Sequence, residues 1–316
     1  MFKSLILGVA VAGGIAAAAS AQDYPTKDIE LVVPFAPGGS VDVTSRLIAE
    51  TANTFLDGKE IVVANRAGGG GVVGQSFVSK AKPDGYTVLA MTSSVVTNPQ
   101  LKGAPYKITD FKPVAAYNID PEVIAVPANS PFANIDDFVA ATKKSPLNMT
   151  VAGIGTSHHM AGLALTTAAG LDFNYIPAKG FGEQLQAVVG GHADGAFWPM
   201  GEAMSHAEAG TVRILAIASD ERDPNFPDVP TFEEAGLNVP IWATFRGWAV
   251  PAGTPDEVVT YLSDLLQHVY DDEGYRQKMK DAGFDSIYRN AADFEAIITS
   301  YSDQVVPIID ENGLGK

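Results

Sequence analysis

Short apolar segments alternate with helix-like segments in two separate stretches of this chain, and this alternation is what most restricts its fold. In the first stretch LVVPF and EIVVAN each precede a helical pattern, and YTVLAM follows. In the second stretch MTVAG and FNYIPA each precede a helical pattern, and ADGAFW and RILAIA follow. Alternation of strands and helices is typical of parallel α/β sheets. The sequence therefore predicts an α/β protein with two lobes.

Two extended segments, 113–132 and 242–255, have the turn residues and the aromatic or proline punctuation expected of strands that cross from one lobe to the other. The tail from Pro255 has amphipathic helical spacing, and we place it back on the first lobe. The predicted organisation is a first lobe of residues 22–120 and 246–316 and a second lobe of residues 121–245, with the two crossing strands as the hinge.

The first 21 residues have the pattern of a secretory signal peptide. Lys3 supplies the positive charge, residues 5–19 form a short apolar region, and Ala19-Ser20-Ala21 is a small-residue cleavage pattern. We therefore predict cleavage after Ala21 and export to a periplasm. The chain contains no cysteine, so we expect the hydrophobic core alone to stabilise the mature protein.

The net charge argues against two classes of partner. It is −16 for the full chain, and removal of Lys3 with the predicted signal peptide makes it −17. Because the basic residues are dispersed, nucleic acids and anionic membrane surfaces are poor candidates. Exposed charges are screened over about 8 Å at physiological salt, so the acidic surface does not exclude a small anion bound in a cleft.

Two glycine-rich loops share one arrangement and are the strongest candidates for a binding site. In VVPFAPGGSVD and in MTVAGIGTSHHM a buried strand leads into glycines, then into a hydroxyl or acidic residue, then into a helix. The free N–H groups at a helix start attract anions, and in α/β sheets such sites lie at the carboxyl ends of strands. Two facing loops would hold one small anion. Ordinary helix capping by Ser40, Asp42, Thr156 or Ser157 is the alternative.

The remaining motifs do not indicate a nucleotide-binding site, a metal site or a catalytic site. RAGGGGVVG contains a formal G-x-G-x-x-G, but the next strand ends in the hydroxyls of Thr92 and Ser93 instead of the acid that a dinucleotide ribose requires. His158 and His159 are adjacent, so on a helix they point about 100° apart and do not share a metal. We expect no cofactor, no metal and no enzymatic activity, and we treat His158 as a hydrogen-bond donor to ligand.

Two cations and several neighbours complete the candidate set. Lys179 ends the strand FNYIPAK, and Arg246 lies in a predicted crossing strand, where its guanidinium would suit a carboxylate. Pairing of either cation with a nearby acid is the alternative. Phe35 and Trp198 are candidate walls of the pocket, with core packing as the alternative. The predicted ligand-binding residues are Phe35, Gly38, Gly39, Ser40, Asp42, Thr92, Ser93, Gly155, Thr156, Ser157, His158, Lys179, Asp194 and Arg246.

Several segments together resemble the extracytoplasmic solute receptors of tripartite tricarboxylate transporters, the TctC or Bug family. They are YPTKDIELVVPFAPGGSVDVTSRLIAE, VANRAGGGGVVGQSFVSKAKPDGYTVL, SPFANIDDFVAATKKSP, AKGFGEQLQAVVGGHAD, and FPDVPTFEEAGL with GWAVPAGTP. They follow the family's order over the whole mature chain, from Tyr24 to the C-terminal helices. The resemblance implies a two-lobed type II periplasmic binding protein, or Venus flytrap.

The resemblance also implies a ligand and a partner. Family members mostly bind carboxylates, between the loop that matches Phe35–Asp42 and the loop that matches Gly153–His158, and deliver them to a permease with a large and a small subunit. Many relatives have a hydroxyl where this chain has Val41, so Ser40 is expected to replace it. TFRGW resembles the branch for tricarboxylates, which implies a di- or tricarboxylate such as citrate. We expect a monomer. A receptor that feeds a two-component sensory system, or an exported hydrolase, is the alternative.

Overall fold

The computed structural model of the protein describes residues 24–239 and 242–315. The predicted signal peptide and its cleavage site lie outside these residues. The described chain forms one mixed nine-stranded sheet covered by helices, with the strand order β2-β1-β3-β9-β4-β7-β5-β6 and with β8 paired to β4. Within the described residues no helix combines the length and the apolar character needed to cross a bilayer.

The strands are β1 Ile29–Val33, β2 Ile61–Asn65, β3 Thr87–Thr92, β4 Phe111–Pro127, β5 Leu147–Val151, β6 Phe173–Pro177, β7 Gly195–Pro199, β8 Val212–Ile217 and β9 Ala243–Pro251. The helices are α1 Ser40–Ala52, α2 Val72–Ser79, α3 Ser94–Lys102, α4 Ile135–Thr142, α5 Ser157–Ala169, α6 Phe181–Val189, α7 Met200–Glu208, α8 Asp256–Asp271, α9 Glu273–Asp281 and α10 Ala291–Glu311. Short 3₁₀ turns cover Asn53–Phe55, Gly69–Gly71 and Ile108–Asp110.

Each half of the sheet has a parallel core, as the alternation of strands and helices predicts. In the first half β1 pairs in parallel with β2 and β3. In the second half β5 pairs in parallel with β6 and β7. Consecutive parallel strands need a crossover, and the helices that connect them cover the faces of the sheet. The loops after β1 and β5 therefore emerge at the carboxyl ends of parallel strands.

The long strand β4 joins the two halves. Its 17 residues pair antiparallel with β9 from Phe111 to Pro121, and then with β7 and β8 from Glu122 onward. The predicted crossing segments 113–132 and 242–255 overlap β4 and β9, respectively. The polar residues Asn118, Asp120 and Glu122 are buried at alternate positions of β4, so they lie on one face of the strand. The proposed lobe boundaries near residues 120 and 245 fall within this strand pair.

Buried apolar side chains form a core in each half. In the first half Leu31, Ile48, Trp248 and Leu262 belong to one cluster, so β1, β9, α1 and α8 pack together. In the second half Val123, Trp198 and Ile214 belong to another. The C-terminal tail, helical as predicted, returns to the first half through α8 and α9.

The last helix, α10, contacts both halves. Near its start the Phe294 ring packs against Phe245 of β9. In its middle Tyr301 lies against Trp242, with ring centroids 5.5 Å apart. Just beyond its end the side-chain amide of Asn312 donates to Thr167 Oγ1 of α5 at 2.8 Å. The helix contains Pro307 and continues past it to Glu311.

Candidate ligand-binding cleft

A cleft that is partly open to solvent lies where the two predicted glycine loops meet. The loop after β1 and the start of α1 supply one wall, and the start of α5 supplies the opposite wall. The end of β3 and the strand β9 form the floor. The lining residues are Phe35, Ala36, Gly39, Ser40, Val41, Thr92, Ser93, Ser94, Ala152, Thr156, Ser157, His158, Gly180, Phe181, Pro199, Glu202, Thr244 and Arg246.

Helix α1 begins in the cleft without a side-chain cap. Its N-cap residue is Gly39, and no side chain caps its first turn. The loop before it is fixed from outside the cleft, because Gly38 N donates to Asp42 Oδ2 at 2.9 Å and the amide of Asn65 donates to Asp42 Oδ1. Gly38 has φ of +85°, a conformation that favours glycine. The first-turn N–H groups of α1 therefore start at the cleft wall without a partner from their own helix.

Helix α5 begins at the opposite wall of the cleft, also without a side-chain cap. Thr156 is its N-cap residue, but the Thr156 hydroxyl donates to the Gly153 carbonyl at 2.8 Å and caps no helical N–H. The N-cap residues of α3, α6 and α7 also line the cleft, and these helices have no side-chain cap either. Away from the cleft, α8 is uncapped, whereas α4, α9 and α10 are capped by Asn134, Asp272 and Asn290, respectively. The uncapped starts of α1 and α5, which follow the two glycine loops, thus face one cleft, and each carries the partial positive charge of its macrodipole.

Arg246 lies at the floor of the cleft and is almost fully buried, with 1% of its surface exposed. Its Nη1 donates to Asn118 Oδ1 and, at 3.0 Å, to Asp120 Oδ2. Its Nη2 donates to Ser40 Oγ at 2.7 Å. The guanidinium therefore joins β4, β9 and the start of α1, and the pairing with an acid, which was the alternative interpretation, is present in Asp120.

Three buried carboxyl groups surround this one guanidinium. Asp120 accepts a second hydrogen bond from Gly201 N at 3.1 Å. Burial raises the pKa of Asp120, and the Arg246 charge opposes that effect. Glu122 is fully buried, and neither of its carboxyl oxygens has a partner among the described residues. Burial therefore raises the pKa of Glu122 well above its usual range.

Glu202 is the acid that reaches the cleft. It belongs to α7 of the second half, and its Oε1 accepts a hydrogen bond from Ser40 N across the cleft at 3.1 Å. Its Oε2 has no hydrogen-bond partner among the described residues and lies 3.9 Å from His158 Nε2. Burial raises the pKa of the Glu202 carboxyl, whereas the hydrogen bonds from Ser40 and the Arg246 charge lower it in part.

His158 is neutral, and its hydrogen bonds define which ring nitrogen carries the proton. Burial, followed by the Arg246 charge, lowers the pKa of His158 to about 3, and an interaction with the Phe197 backbone only partly opposes this. The Gln184 amide nitrogen donates to the Thr150 carbonyl, which fixes the amide orientation, and it lies 3.2 Å from His158 Nδ1. Since that nitrogen only donates, Nδ1 accepts and Nε2 carries the proton.

The cleft brings together nine of the predicted ligand-binding residues. They are Phe35, Gly39, Ser40, Thr92, Ser93, Thr156, Ser157, His158 and Arg246. The hydroxyls at the end of β3 belong to a polar floor, where Ser93 Oγ and Thr244 Oγ1 are 3.1 Å apart. The strand-end position of Thr92 and Ser93 is what places them beside the two loops.

Five predicted residues lie outside the cleft lining. Gly38 and Asp42 bond to each other below the α1 start. Gly155 turns its N–H to His159 Nδ1 and its carbonyl to the Thr97 hydroxyl. Asp194 precedes β7 and accepts from Asn148 N at 2.8 Å, so it lies at the amino-terminal edge of the parallel strands, opposite the cleft.

Lys179, the fifth of these, belongs to a neighbouring cavity. Its side chain is 88% exposed and its Nζ lies 3.6 Å from Glu183 Oε1, one helical turn away. Lys179 follows β6, the edge strand, which explains its distance from the floor. The cavity beside it is also lined by Lys102 and the glycines of the 3₁₀ turn Gly69–Gly71. The predicted wall residue Trp198 is fully buried, and Phe181, whose ring packs against it, lines the cleft instead.

The sequence interpretation missed Glu202, Asp120 and Glu122. The segment NIDPE did carry a signal, because polar residues at alternate positions of a predicted buried strand are expensive unless they serve a site. Glu202 carried no such signal, since a glutamate in a helical pattern is ordinary. No group of three metal-ligating side chains occurs within residues 24–239 and 242–315.

Comparison with known proteins identifies related sequences over most of the chain. A family model for the tripartite tricarboxylate transporter family receptor matches residues 44–314. Protein BugT of Bordetella pertussis is 33% identical over 265 residues, which are 82% of this chain and 81% of BugT. A UPF0065 protein from the gbd 5' region of Cupriavidus necator is 29% identical over 310 residues, 95% of this chain and 92% of the relative.

Solved structures share the fold. The periplasmic binding protein BugD has a TM-score of 0.86 and 30% identity, covering 93% of this chain and 100% of BugD. MatC from Rhodopseudomonas palustris, solved with bound malate, has a TM-score of 0.85 and 27% identity over 90% of this chain and 100% of MatC. An R. palustris protein solved with adipate has a TM-score of 0.86 and 27% identity over 92% and 99%. The prediction of a two-lobed α/β binding protein is confirmed.

Proposed function

Because this chain belongs to the family of tripartite tricarboxylate transporter receptors, which are solute-binding proteins and not enzymes, we propose that its cleft captures a di- or tricarboxylate for uptake. Citrate and the C4 dicarboxylates are the ligands we favour. The predicted absence of enzymatic activity agrees with the family, and the exported-hydrolase alternative is set aside.

The observation that carries the proposal is the pair of uncapped helix starts, α1 and α5, on opposite walls of one cleft. A ligand carboxylate between them would accept from first-turn N–H groups of both helices, while the hydroxyls of Ser93 and Ser157 offer further donors. Both macrodipoles favour negative charge at this place. Related proteins have been solved with malate and with adipate, which are both dicarboxylates.

Arg246 supports the carboxylate through Ser40. Since its Nη1 is occupied by Asn118 and Asp120 and its Nη2 holds Ser40 Oγ, the guanidinium orients the start of α1 and adds positive potential below it. This role differs from the direct contact with a ligand carboxylate that the sequence suggested. The Arg246 charge still favours an anion in the cleft although it does not contact the ligand, because its low-dielectric surroundings screen the charge weakly.

Such a site can bind its ligand with micromolar affinity without a metal ion. Hydrogen bonds to charged groups contribute about 1.5–3 kcal/mol each. Micromolar binding requires about 8 kcal/mol after ordering costs. Four to six donors from the two helix starts and the hydroxyls would supply it. Closure of the lobes is favoured only by contacts that the closed form makes, and the bond from Ser40 N to Glu202 is one that joins the two halves.

The transport role follows from the family. We assign the partner as a membrane permease with a large and a small subunit, to which the loaded receptor, a monomer, delivers its ligand. We place the mature protein in the periplasm after cleavage at Ala21, since the N-terminal sequence has the signal-peptide pattern and related proteins such as BugD are periplasmic.

A thermal-shift screen tests the proposed ligand class. The compounds are citrate, succinate, malate, adipate, acidic amino acids, aromatic acids, and glucose as a neutral control. A ligand at 100 times its dissociation constant stabilises the folded protein by about 2.7 kcal/mol, which is readily measured as a higher melting temperature. We expect shifts with di- or tricarboxylates. Shifts with neutral compounds only would refute the proposed function.

A further inference from the structure

One acceptor and one donor in the cleft are left facing each other. Glu202 is 93% buried, and its Oε2 has no partner among the described residues although its Oε1 is bound by Ser40 N. Across from it stands His158 Nε2, 3.9 Å away, which is too far for a hydrogen bond. Both residues line the cleft. A buried carboxylate oxygen without a partner carries a desolvation cost that a bound group would remove.

The polarity of this pair defines the group that fits it. Glu202 Oε2 is an acceptor without a partner among the described residues, and His158 Nε2 is a donor, because the His158 Nδ1 atom accepts from Gln184. A hydroxyl both donates and accepts, so one hydroxyl oxygen within about 3 Å of both atoms satisfies both. An ammonium group has only donors and would meet the N–H of His158 unfavourably.

The charges in the cleft also favour a ligand with a hydroxyl group. Arg246, the cation among the cleft residues, is already paired with Asp120. Glu202 adds an acid on the wall, close to the place where the carboxylate is expected. An unsubstituted di-acid therefore meets Glu202 without compensation, whereas a hydroxyl beside the carboxylate places a donor between the two acids.

We propose that Glu202 and His158 form a hydroxyl-recognition subsite, so that the receptor selects carboxylates with a hydroxyl next to a carboxyl group over the same acids without it. This inference rests on the proposed function, because the helix starts must hold the neighbouring carboxylate. It makes Glu202 a specificity-determining residue.

Matched pairs of acids test the proposal on the unmodified protein. Isothermal titration calorimetry compares malate with succinate, citrate with tricarballylate, and 2-hydroxyadipate with adipate, each pair differing by one hydroxyl. We expect the hydroxylated member of whichever pair binds to bind about 10- to 100-fold more tightly, since hydrogen bonds to charged groups are strong. Aspartate serves as the ammonium analogue of malate, and we expect it to bind more weakly than malate.

The variant Glu202→Gln assigns the preference to this residue. Its side-chain oxygen would keep the bond from Ser40 N, but its amide nitrogen would then face the hydroxyl as a donor. We expect the preference within each pair to decrease about 10-fold or more, while the affinity for the unsubstituted acid stays the same or rises. Glu208→Gln removes the same charge from the exposed face of the same helix and should leave the preference unchanged.

The outcomes separate this inference from the proposed function. Equal affinities within the pair that binds, or tighter binding of aspartate than of malate, would overturn the hydroxyl subsite and leave carboxylate binding in place. Loss of binding to every acid in the set would overturn both. If Glu202→Gln does not fold, as judged by circular dichroism, the pairs measured on the unmodified protein still decide the selectivity.

Discussion

Arg246 shows how one side chain holds the cleft floor together. Its guanidinium is nearly fully buried and bonds to residues of β4 and α1. Removal of one member of a buried ion pair leaves the other charge unpaired, which costs about 3–5 kcal/mol. We expect Arg246→Met to lower the free energy of unfolding by about that amount, measured by urea denaturation at pH 7.

A double variant shows whether the loss of stability in Arg246→Met comes from the unpaired Asp120 carboxylate. Asp120→Asn with Arg246→Met removes both charges and keeps an oxygen for Gly201 N. We expect it to recover at least half of the lost stability. Additive destabilisation in the double variant would show that the pair is not coupled as the structure indicates.

Glu122 makes the stability depend on pH. Burial raises its pKa in the folded protein, so the folded state favours the protonated carboxyl. Its contribution is therefore complete below the pKa of an unfolded glutamate, about 4.3, and is lost as the pH rises through the folded-state pKa. We expect Glu122→Gln to match the unmodified protein at pH 4 and to exceed its free energy of unfolding by about 1–3 kcal/mol at pH 8.

Urea titrations at pH 4, 6 and 8 measure this difference. Glu221→Gln, at an exposed loop position, is the control and should give the same small change at each pH. A stability difference for Glu122→Gln that does not grow with pH would mean that Glu122 is ionised in the folded protein.

The residues of the two loops could be predicted because their chemistry is local. A strand, two glycines and a hydroxyl before a helix describe a free helix start, and Ser40, Thr156 and Ser157 all line the cleft. Asp42 and Gly155 belong to the same local patterns but make other contacts, since the Asp42 carboxylate accepts from Gly38 N and the Gly155 backbone bonds to His159 and Thr97. Glu202 reaches Ser40 from the other half, 162 positions away in the chain, and no local pattern encodes that approach.

At the scale of elements, α5 is packed so closely that it has no room for a side chain at Gly162. A Cβ there would lie 2.7 Å from the rings of Phe197 and Tyr175, which belong to β7 and β6. Alanine favours helix over glycine by about 1 kcal/mol, but overpacking costs about 1–3 kcal/mol. We expect Gly162→Ala to destabilise the protein, and α5 to lose its fixed position over the cleft.

The same substitution in another helix provides the control. At Gly182 in α6 a Cβ meets no atom within 4 Å. Gly182→Ala should therefore stabilise the protein by up to about 1 kcal/mol. Thermal unfolding of both variants measures the two effects. Equal changes at the two positions would contradict the close packing of α5 on the sheet.

At the scale of the molecule, the continuous sheet predicts a single unfolding transition. Strand β4 pairs with β9 in one half and with β7 and β8 in the other, so the two halves share this strand. Trp198 lies in the second half and Trp248 in the first. Variants that retain one of these two indoles, with the other two tryptophans changed to phenylalanine, should unfold at the same urea concentration.

Fluorescence of each variant, compared with its own circular dichroism, provides the measurement. Coincident transitions indicate cooperative unfolding of the two halves. Separate midpoints for the two indoles, beyond the difference in stability between the variants, would show that each half unfolds by itself.

The architecture was predictable at this scale because strand and helix periodicities persist over many residues. The two α/β stretches, the crossing segments and the helical tail all follow from apolar spacing. The single mixed sheet was less predictable, since it depends on β4 changing partners from β9 to β7 and β8, and the local sequence of β4 does not specify which distant strands pair with it. Register between distant strands is set by packing.

The C-terminal helix has a mechanical consequence. The two crossing strands alone would let the halves both swing and twist relative to each other. Helix α10 starts against β9 at Phe294 and ends beside α5 through the bond from Asn312 to Thr167, so it spans the hinge as a stiff third connection. Twisting would shear this helix along its packed length, whereas swinging needs movement only near its ends. We therefore expect the cleft to open along one direction, so that its mouth always faces the same way for ligand entry and release.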